Sequence, residues 1–339
     1  MRIRTNLAVA AVALALLAAA CGGEADAEGS GGLTGEIFVS GSSTVEPISG
    51  LNAEKFAEEN PGVAISVEGP GTGDGFELFC GGETDISDAS RPIAEDEAEL
   101  CAQNGIEYTE LEVAIDGIAV LTSPQNEAVS CVGFGDVYAL VGPESEGFDS
   151  WADAQGLAAE ISSGEMPTPA ADAGLPDAPL EITAPGEESG TYDSFIELTF
   201  EGFAEDERGQ DPVTRPDYVA SADDNVIIEG IAGSPSSFGW VGFAFYRNNQ
   251  DAVKALEVDG GSGCVAPSEE TIADGSYPVS RSLYIYVNDA RAAESAAPRA
   301  FVDFYVSDEG LASVAEVGYV ELPPERIEAT RAAWEEGRP

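Results

Sequence analysis

Residues 36–47 read EIFVSGSSTVEP, a short apolar stretch followed by a turn of glycine and small hydroxyl residues. The apolar, β-branched string at 36–40 predicts a strand, and Pro47 suits the first turn of a helix. Ser43 or Thr44 is then expected to cap that helix. At such a junction, unpaired backbone N–H groups lie at the positive end of the helix dipole, and glycine lets an anion approach them. The stretch therefore predicts a cradle for an oxyanion.

The same order of strand, turn and helix occurs twice more. VAISVE leads to GPGTGDG at 69–75, and PLEIT leads to the turn PGEESGT at 185–191. Serine and threonine hydroxyls donate hydrogen bonds without adding net charge, so three such turns can surround an oxyanion even in an acidic protein. One turn alone is weak evidence, because helix starts in α/β folds need such caps for structural reasons. The similarity of the three turns favours a shared ligand.

Strand and helix patterns alternate along the rest of the chain. The predicted strands are 36–40, 63–69, 112–123, 179–185 and 282–288. The predicted helices are 46–59, 75–81, 92–104, 150–163, 191–203, 223–233 and 297–315. This alternation predicts an α/β fold.

Composition narrows the possible functions. The 339 residues contain 14 lysines and arginines against 63 acidic residues, for a net charge of −49, and no histidine. A broad basic surface for nucleic acid cannot be assembled. The absence of histidine excludes Ser-His-Asp triads and histidine-ligated zinc. Most of the acidic residues are interpreted as a solvated surface, and 43% hydrophobic residues suffice for a sizeable core.

The N-terminus has the features of an export signal. Arg2 and Arg4 precede an apolar run at 7–20 that is shorter than the ~20 residues needed to span a bilayer. Three alanines directly before Cys21 are similar to a bacterial lipoprotein cleavage box, which predicts a signal peptide at 1–20 and lipidation of Cys21. Residues 21–33 would form a flexible tether to the outer face of the cytoplasmic membrane. The alternative is an ordinary cleavage site with an incidental cysteine.

Four cysteines remain when Cys21 is set aside: Cys80, Cys101, Cys131 and Cys264. In an oxidising compartment they predict two disulfides, with three possible connectivities. Cys80 and Cys101 are near in sequence, and pairing them would leave Cys131 for Cys264. Metal binding is the rival interpretation, but the spacings are not CxxC and no histidine completes a site. We therefore expect no metal and no cofactor.

Two charged residues are candidates for direct contact with an oxyanion. Arg91, beside Ser90 in DISDASRPI, is either a bidentate partner of the anion or half of a surface salt bridge. Asp116 lies in the apolar run VAIDGIAVL, where a carboxylate is costly to bury without hydrogen bonds. It either bonds backbone at a strand end or accepts the proton of hydrogen phosphate, which sulfate lacks.

Taken together, several segments resemble the motifs of the PstS-like family, the phosphate-binding lipoproteins of bacterial ABC phosphate importers. The segments are GSSTVEP, GPGTGDGF, DISDASRPI, ESGTYDSF, ADDNVIIEGIAG with FGWVGFAFY, and YPVSRSLYIYV, within a resemblance from about Gly35 to the early 300s. The resemblance implies a periplasmic-binding-protein type II fold, with two α/β lobes joined by crossing strands and a ligand cleft between them. Lobe 1 would comprise 34–122 and the return segment 280–339, and lobe 2 would comprise 123–279.

The resemblance also implies which residues bind the ligand. By match to the family motifs, these are Ser43 and Thr44 in the first turn, Thr72 in the second, Ser189, Gly190 and Thr191 in the third, and Ser90 with Arg91 at the SRPI position. Many relatives place an arginine shortly before the Ser-Gly-Thr turn, whereas this chain has PGEE at 185–188. This departure makes Arg91 the expected guanidinium, and it does not identify the proton acceptor. We expect Asp116 to be that acceptor.

The function that the resemblance implies is a non-enzymatic, monomeric receptor that captures inorganic phosphate and delivers it to the permease subunits of an ABC importer. One alternative keeps the fold and binds sulfate, molybdate or phosphonate. Another is a hydrolase or phosphatase that uses Ser189, although GEESG does not match the GxSxG elbow and no histidine can act as base. A third is an adhesion or signalling protein that has kept the fold.

Overall fold

The computed structural model describes residues 32–162 and 174–338. The predicted signal peptide, Cys21 and the tether as far as residue 31 lie outside the described residues. Within the described ranges, no helix is both long enough and apolar enough to cross a membrane.

Two sheets carry the strands. The strands are β1 (Thr34–Gly41), β2 (Gly62–Glu68), β3 (Ile86–Ala89), β4 (Tyr108–Thr122), β5 (Cys131–Gly133), β6 (Glu181–Ala184), β7 (Val219–Ala220), β8 (Ser237–Gly242), β9 (Lys254–Ala255), β10 (Glu257–Asp259), β11 (Cys264–Val265) and β12 (Ser280–Asn288). The larger sheet has the order β2-β1-β3-β12-β4-β8-β6-β7, with β9 paired to β4, and the smaller has the order β11-β10-β5. The predicted α/β fold class is confirmed.

Strand direction places the hydroxyl turns together. β1 pairs in parallel with both β2 and β3, so the three strands end at the same edge of the sheet. The turn after each of these strands therefore opens on one side of the molecule. β12 and β4 run antiparallel to each other and connect this part of the sheet to β8 and β6.

Helices cover the sheets. They are α1 (Glu46–Glu59), α2 (Thr72–Cys80), α3 (Glu95–Asn104), α4 (Phe134–Val141), α5 (Ala154–Ile161), α6 (Gly190–Thr199), α7 (Glu201–Phe203), α8 (Asp224–Gly233), α9 (Phe243–Arg247), α10 (Glu269–Ala273), α11 (Asp289–Glu294), α12 (Ala296–Tyr305), α13 (Asp308–Glu316) and α14 (Pro324–Gly337). The helix predicted at 46–59 has the observed bounds of α1. The single helix predicted at 297–315 is wrong, because Ser307 accepts a hydrogen bond from the Gly310 N–H (3.1 Å) and starts a new helix, α13.

The two largest hydrophobic clusters divide within β4. Leu111 and Val113 pack with side chains of β1, β2 and α12, whereas Ile118 and Val120 pack with side chains of α4, α6 and β8. A single 15-residue strand thus joins the two largest clusters, and its Ala119 and Leu121 belong to a third.

Both disulfides are present. Cys80 at the end of α2 pairs with Cys101 in α3, and Cys131 in β5 pairs with Cys264 in β11. The predicted pairing is confirmed.

Candidate oxyanion-binding site

A cleft of about 350 Å³ lies where the hydroxyl turns meet. One side, the donor wall, consists of Ser42–Thr44, Gly69–Thr72 and Ser90. The remaining lining residues come from α6, α7 and a following loop, and they are Tyr192, Asp193, Ile196, Glu197, Glu201 and Pro212. The predicted residues Ser43, Thr44, Thr72 and Ser90 are therefore brought together.

The hydroxyl of Thr44 takes no part in capping α1. The N-cap of α1 is Val45, which makes no side-chain cap bond, so the predicted cap at Ser43 or Thr44 is wrong. Ser42 closes the turn instead: its Oγ accepts from the Thr44 N–H (3.2 Å) and its carbonyl accepts from the Val45 N–H (3.1 Å). Because Ser42 satisfies these amides, the Thr44 side chain is not needed to cap the start of α1.

The second turn holds a pair of hydroxyls. Thr72 Oγ1 lies 3.0 Å from Ser90 Oγ and accepts a hydrogen bond from the Ser90 N–H (3.2 Å). Gly71, which precedes Thr72, has φ of 117°, a conformation that side chains disfavour. The glycine thus turns the chain so that α2 begins with Thr72 facing Ser90.

Arg281 joins Thr44 to α6. Its Nη2 donates to Thr44 Oγ1 (3.1 Å) and to Ser194 Oγ (2.9 Å), and these two hydroxyl oxygens lie 3.0 Å apart. Both hydroxyl residues are buried. Phe195, next to Ser194, stacks on Trp240 at 4.0 Å between ring centroids, which fixes this face of α6.

Asp116 supports the same guanidinium from the neighbouring strand. Arg281 and Asp116 are directly paired in the β12–β4 register, and Arg281 Nε lies 3.7 Å from Asp116 Oδ2. Both atoms are buried and have no hydrogen-bond partner among the described residues. Burial raises the pKa of Asp116, and Arg281 and Ser194 partly offset this rise.

Three carboxylates, the acidic wall, face the cleft from α6 and α7. Asp193, Glu197 and Glu201 recur every four residues, and Glu197 Oε2 lies 2.6 Å from Arg281 Nη1. Burial and the nearby Glu197 charge raise the pKa values of Asp193 and Glu201. Carboxylates this close to a cleft oppose the entry of an anion.

Arg91 takes part in the surface ion pair that the sequence left as an alternative. Its Nη1 and Nη2 donate to the two carboxylate oxygens of Glu97 (2.8 and 2.7 Å), and this bonding raises the pKa of Arg91. The guanidinium also lies 5.7 Å from the ring centre of Phe76. Arg91 is not among the described residues that line the cleft, and its contact with an oxyanion stays a prediction.

The third turn lies beside the first. Ser189 is the N-cap of α6, and its Oγ accepts from the Thr191 N–H (3.3 Å). A side chain at Gly190 would come within 3.9 Å of the Ser43 carbonyl oxygen, so these two turns approach each other. Tyr192, the next residue after Thr191, lines the cleft. Ser189, Gly190 and Thr191 adjoin the lining without being part of it in the described chain.

Comparison with known proteins identifies the family to which this chain belongs. A family model described as the PBP superfamily domain matches residues 26–309. The chain belongs to the PBP superfamily. This PBP-superfamily chain is 36% identical over 302 residues to Protein SphX of Synechocystis sp., covering 89% of this chain and 82% of SphX. It is 34% identical over 314 residues to the Phosphate-binding protein PstS of Staphylococcus saprophyticus, covering 92% and 88%.

A similar solved structure is that of a possible phosphate binding protein from Planctomyces limnophilus. It has a TM-score of 0.77 and 32% identity to this PBP-superfamily chain, covering 90% of this chain and 99% of the other. The expected periplasmic-binding-protein type II fold and the resemblance to the PstS-like family are both confirmed.

Arg281, Ser194 and Glu197 were not among the site residues predicted from the sequence. Arg281 lies in the quoted segment YPVSRSLYIYV and Ser194 in ESGTYDSF. A usable signal was present: Arg281 is a charged residue at the start of an apolar strand, as Asp116 is within another. Two such charges in neighbouring strands stabilise each other when the register pairs them.

The described residues of this PBP-superfamily chain contain one grouping of potential metal ligands. It comprises Cys131, Glu257 and Cys264. Both cysteines belong to a disulfide, so neither offers a thiolate to a metal.

Proposed function

We propose that this chain is a phosphate-binding protein that captures inorganic phosphate outside the cytoplasm and delivers it to the permease subunits of an ABC importer. The observation that carries the proposal is the convergence of the Thr44, Thr72 and Ser90 side chains, from three separate turns, on one cleft. Such groups bind an oxyanion through directional hydrogen bonds. The printed names of the relatives from Staphylococcus saprophyticus and Planctomyces limnophilus support phosphate as that oxyanion.

Binding without catalysis is part of the proposal. The sequence contains no histidine to act as a base. The hydroxyl of Ser189, the serine considered as a nucleophile, accepts a hydrogen bond as the cap of α6. Capture and release of phosphate need no covalent step.

Selectivity for phosphate is assigned to Asp116. Its Oδ2 is buried and has no hydrogen-bond partner within the described chain, and Asp116 lies behind the cleft lining next to Arg281. The proposal is that hydrogen phosphate reaches this oxygen and donates its hydrogen bond to it. Sulfate carries no proton at neutral pH, and a carboxylate facing it would be repulsive. The proposal therefore makes Asp116 an acceptor that favours phosphate.

Release of phosphate is assigned to movement of the two lobes. The proposed lobes are 34–122 with 280–339, and 123–279, and the division of the two cores within β4 supports them. Opening at the crossing strands would separate the donor wall from α6 and expose the ligand to water. We further propose that the protein is a monomer, held at the outer face of the membrane by lipid on Cys21.

A thermal-shift series on the mature chain tests the function. Phosphate, sulfate, molybdate and methylphosphonate are added separately, and phosphate is expected to raise the melting temperature most, because a ligand at about 100 times its Kd adds about 2.7 kcal/mol of stability. A shift with another oxyanion and none with phosphate would reassign the ligand. No shift with any of the four would contradict the proposal.

A further inference from the structure

Arg281 is the arginine that contacts the cleft hydroxyls in the described part of the chain. We propose that Arg281 is the cationic ligand of the bound oxyanion, and that the carboxylate of Glu197 competes with the oxyanion for this guanidinium. The inference rests on the proposed function and names the charged groups that regulate affinity at the same site.

The Nε and the two Nη groups of Arg281 have different partners. Nε faces the buried Asp116, while Nη2 reaches Thr44 and Nη1 reaches Glu197, both of which line the cleft. A guanidinium offers its donors in a rigid fork that fits two oxygens of one oxyanion. Arg281 is not itself part of the described cleft lining: Thr44 and Glu197, which bind its Nη groups, lie between the guanidinium and the cleft, so displacement of Glu197 would open Nη1 to a ligand.

No other arginine offers the same geometry in the described residues near the cleft. Arg91 has both Nη groups on Glu97 and, unlike Arg281, makes no hydrogen bond to a lining residue among those described. The segment before the Ser-Gly-Thr turn, at 185–188, supplies two glutamates and no arginine. The position of Arg281 on a crossing strand therefore replaces a cation that this turn lacks.

The carboxylate of Glu197 binds the Arg281 guanidinium where an oxyanion ligand would bind it. Its oxygen lies 2.6 Å from Nη1, and its side chain is 39% exposed while that of Arg281 is 13% exposed. Two carboxylate oxygens present the same charge sign and similar spacing as two oxygens of phosphate. An incoming oxyanion must displace Glu197 or share Arg281 with it, and the exposure of Glu197 gives the carboxylate a path into solvent. The ion pair between Arg281 and Glu197 thus weakens the binding of every anion. A dianion is affected least, because it competes best for the guanidinium.

Calorimetric titration with phosphate at fixed salt tests the proposal on the full mature protein. Arg281→Gln is expected to weaken binding by at least about a hundredfold, as expected for loss of a charge-assisted hydrogen-bonded partner. Arg281→Lys, which keeps the charge and loses the fork, is expected to weaken it about tenfold. Arg331→Gln is the matched control, because Arg331 forms an ion pair with Asp308 (2.6 Å) outside the cleft.

The competing role of Glu197 has its own controls on the acidic wall. Glu197→Gln is expected to tighten phosphate binding about tenfold, and Asp193→Asn and Glu201→Gln by no more than about threefold, because only Glu197 contacts Arg281. In the Arg281→Gln background the gain from Glu197→Gln is expected to fall to the level of those two controls. Equal gains from all three acids, or an undiminished gain in the double variant, would overturn the competition.

The outcomes also separate this inference from the function. If the wild type binds phosphate and both Arg281 variants bind equally well, the inference is overturned while the function stands. If the wild type binds none of the oxyanions, both are overturned. Should Arg281→Gln not fold, as judged by circular dichroism, Arg281→Lys and Glu197→Gln decide the result.

Discussion

The two sides of the cleft differ in chemistry although they face the same space. The donor wall presents uncharged hydroxyl groups held by turns after three parallel strands, with Thr44 and Ser90 buried. The acidic wall presents the carboxylates of Asp193, Glu197 and Glu201 from α6 and α7. Only Arg281, between them, brings positive charge into hydrogen-bond contact with both walls in the described chain.

In the proposed site, the long-range attraction of an anion and its recognition by direct hydrogen bonds are therefore separate. In a chain of net charge −49, long-range attraction of an anion is absent, so affinity must come from short, directional hydrogen bonds and one guanidinium. In the proposed function, the donor wall supplies the recognition, and the acidic wall opposes weakly bound anions. Variants of these residues, and changes of salt or pH, test this difference between the two walls.

A first prediction concerns the donor wall. Thr44→Val keeps the shape of the side chain and removes the hydroxyl that contacts Arg281 and Ser194, and it should weaken phosphate binding about ten- to hundredfold. Thr199→Val is the control, because Thr199 is also buried and its hydroxyl bonds only the Phe195 carbonyl in the described structure (2.6 Å). Calorimetry that gives equal affinities for the two variants would remove Thr44 from the site.

The next effect concerns selectivity. Asp116→Asn replaces an acceptor with an amide that can donate to sulfate, so the ratio of phosphate to sulfate affinity should fall about tenfold. Asp85→Asn is matched to it, since Asp85 is also buried and faces Arg291 at 3.4 Å outside the cleft. An unchanged ratio in Asp116→Asn would reject its role as proton acceptor.

A third prediction concerns a carboxyl group in β3, between the donor wall and the core. Asp88 is fully buried, its carbonyl accepts from the Ser42 N–H (2.8 Å), and burial raises its pKa to about 7 despite a hydrogen bond from Ser49. Because the folded state holds this proton more tightly than the unfolded chain, the stability from protonated Asp88 is complete below about pH 4. It is lost as the pH rises through about 7.

Between about pH 6 and pH 8, the wild type should therefore lose about 1.4 kcal/mol more stability than Asp88→Asn, which cannot ionise. Urea unfolding at the two pH values measures the difference. Parallel pH profiles for the two proteins would show that Asp88 titrates at an ordinary pKa, and that the donor wall has a charged neighbour at neutral pH.

The smallest effect concerns the acidic wall. Salt screens its repulsion of phosphate, so raising NaCl from about 0.05 M to about 0.5 M should speed association about two- to fivefold in stopped-flow mixing. The double variant Asp193→Asn with Glu201→Gln should show a smaller increase. A rate that falls with salt in the wild type would mean that Arg281, and not the acidic wall, controls the approach of the anion.

Particular residues show which parts of the fold and of the site could be predicted from the sequence. The turns containing Thr44 and Thr72 were predictable, because local patterns of strand, glycine and hydroxyl residues mark each of them, whereas Ser90 was predicted only through the resemblance to the family motif. The disulfide pairing was also predictable, since sequence distance favoured Cys80 with Cys101. These features depend on short stretches of sequence.

Arg281 was not predicted, because its role depends on the register that pairs β12 with β4 and places it against Asp116. Such a register is fixed by contacts between residues more than 160 positions apart. The capping role of Ser42 and the break before α13 were missed for a related reason: neighbouring hydroxyls compete for the same amides, and the sequence does not rank them. Arg91 was favoured because it lies at the SRPI position and no arginine precedes the Ser-Gly-Thr turn; its ion pair with Glu97 depends on side-chain directions that the sequence does not show.

The long strand β4 has a consequence for how the molecule melts. Since its side chains fill two cores, neither core can come apart without withdrawing packing from the other. We expect these hydrophobic clusters to unfold in a single cooperative transition rather than one after the other, with the slowest-exchanging amides along this strand. A nascent chain would also have to wait for β12, near the end of synthesis, before its first-made strands gain their central neighbour.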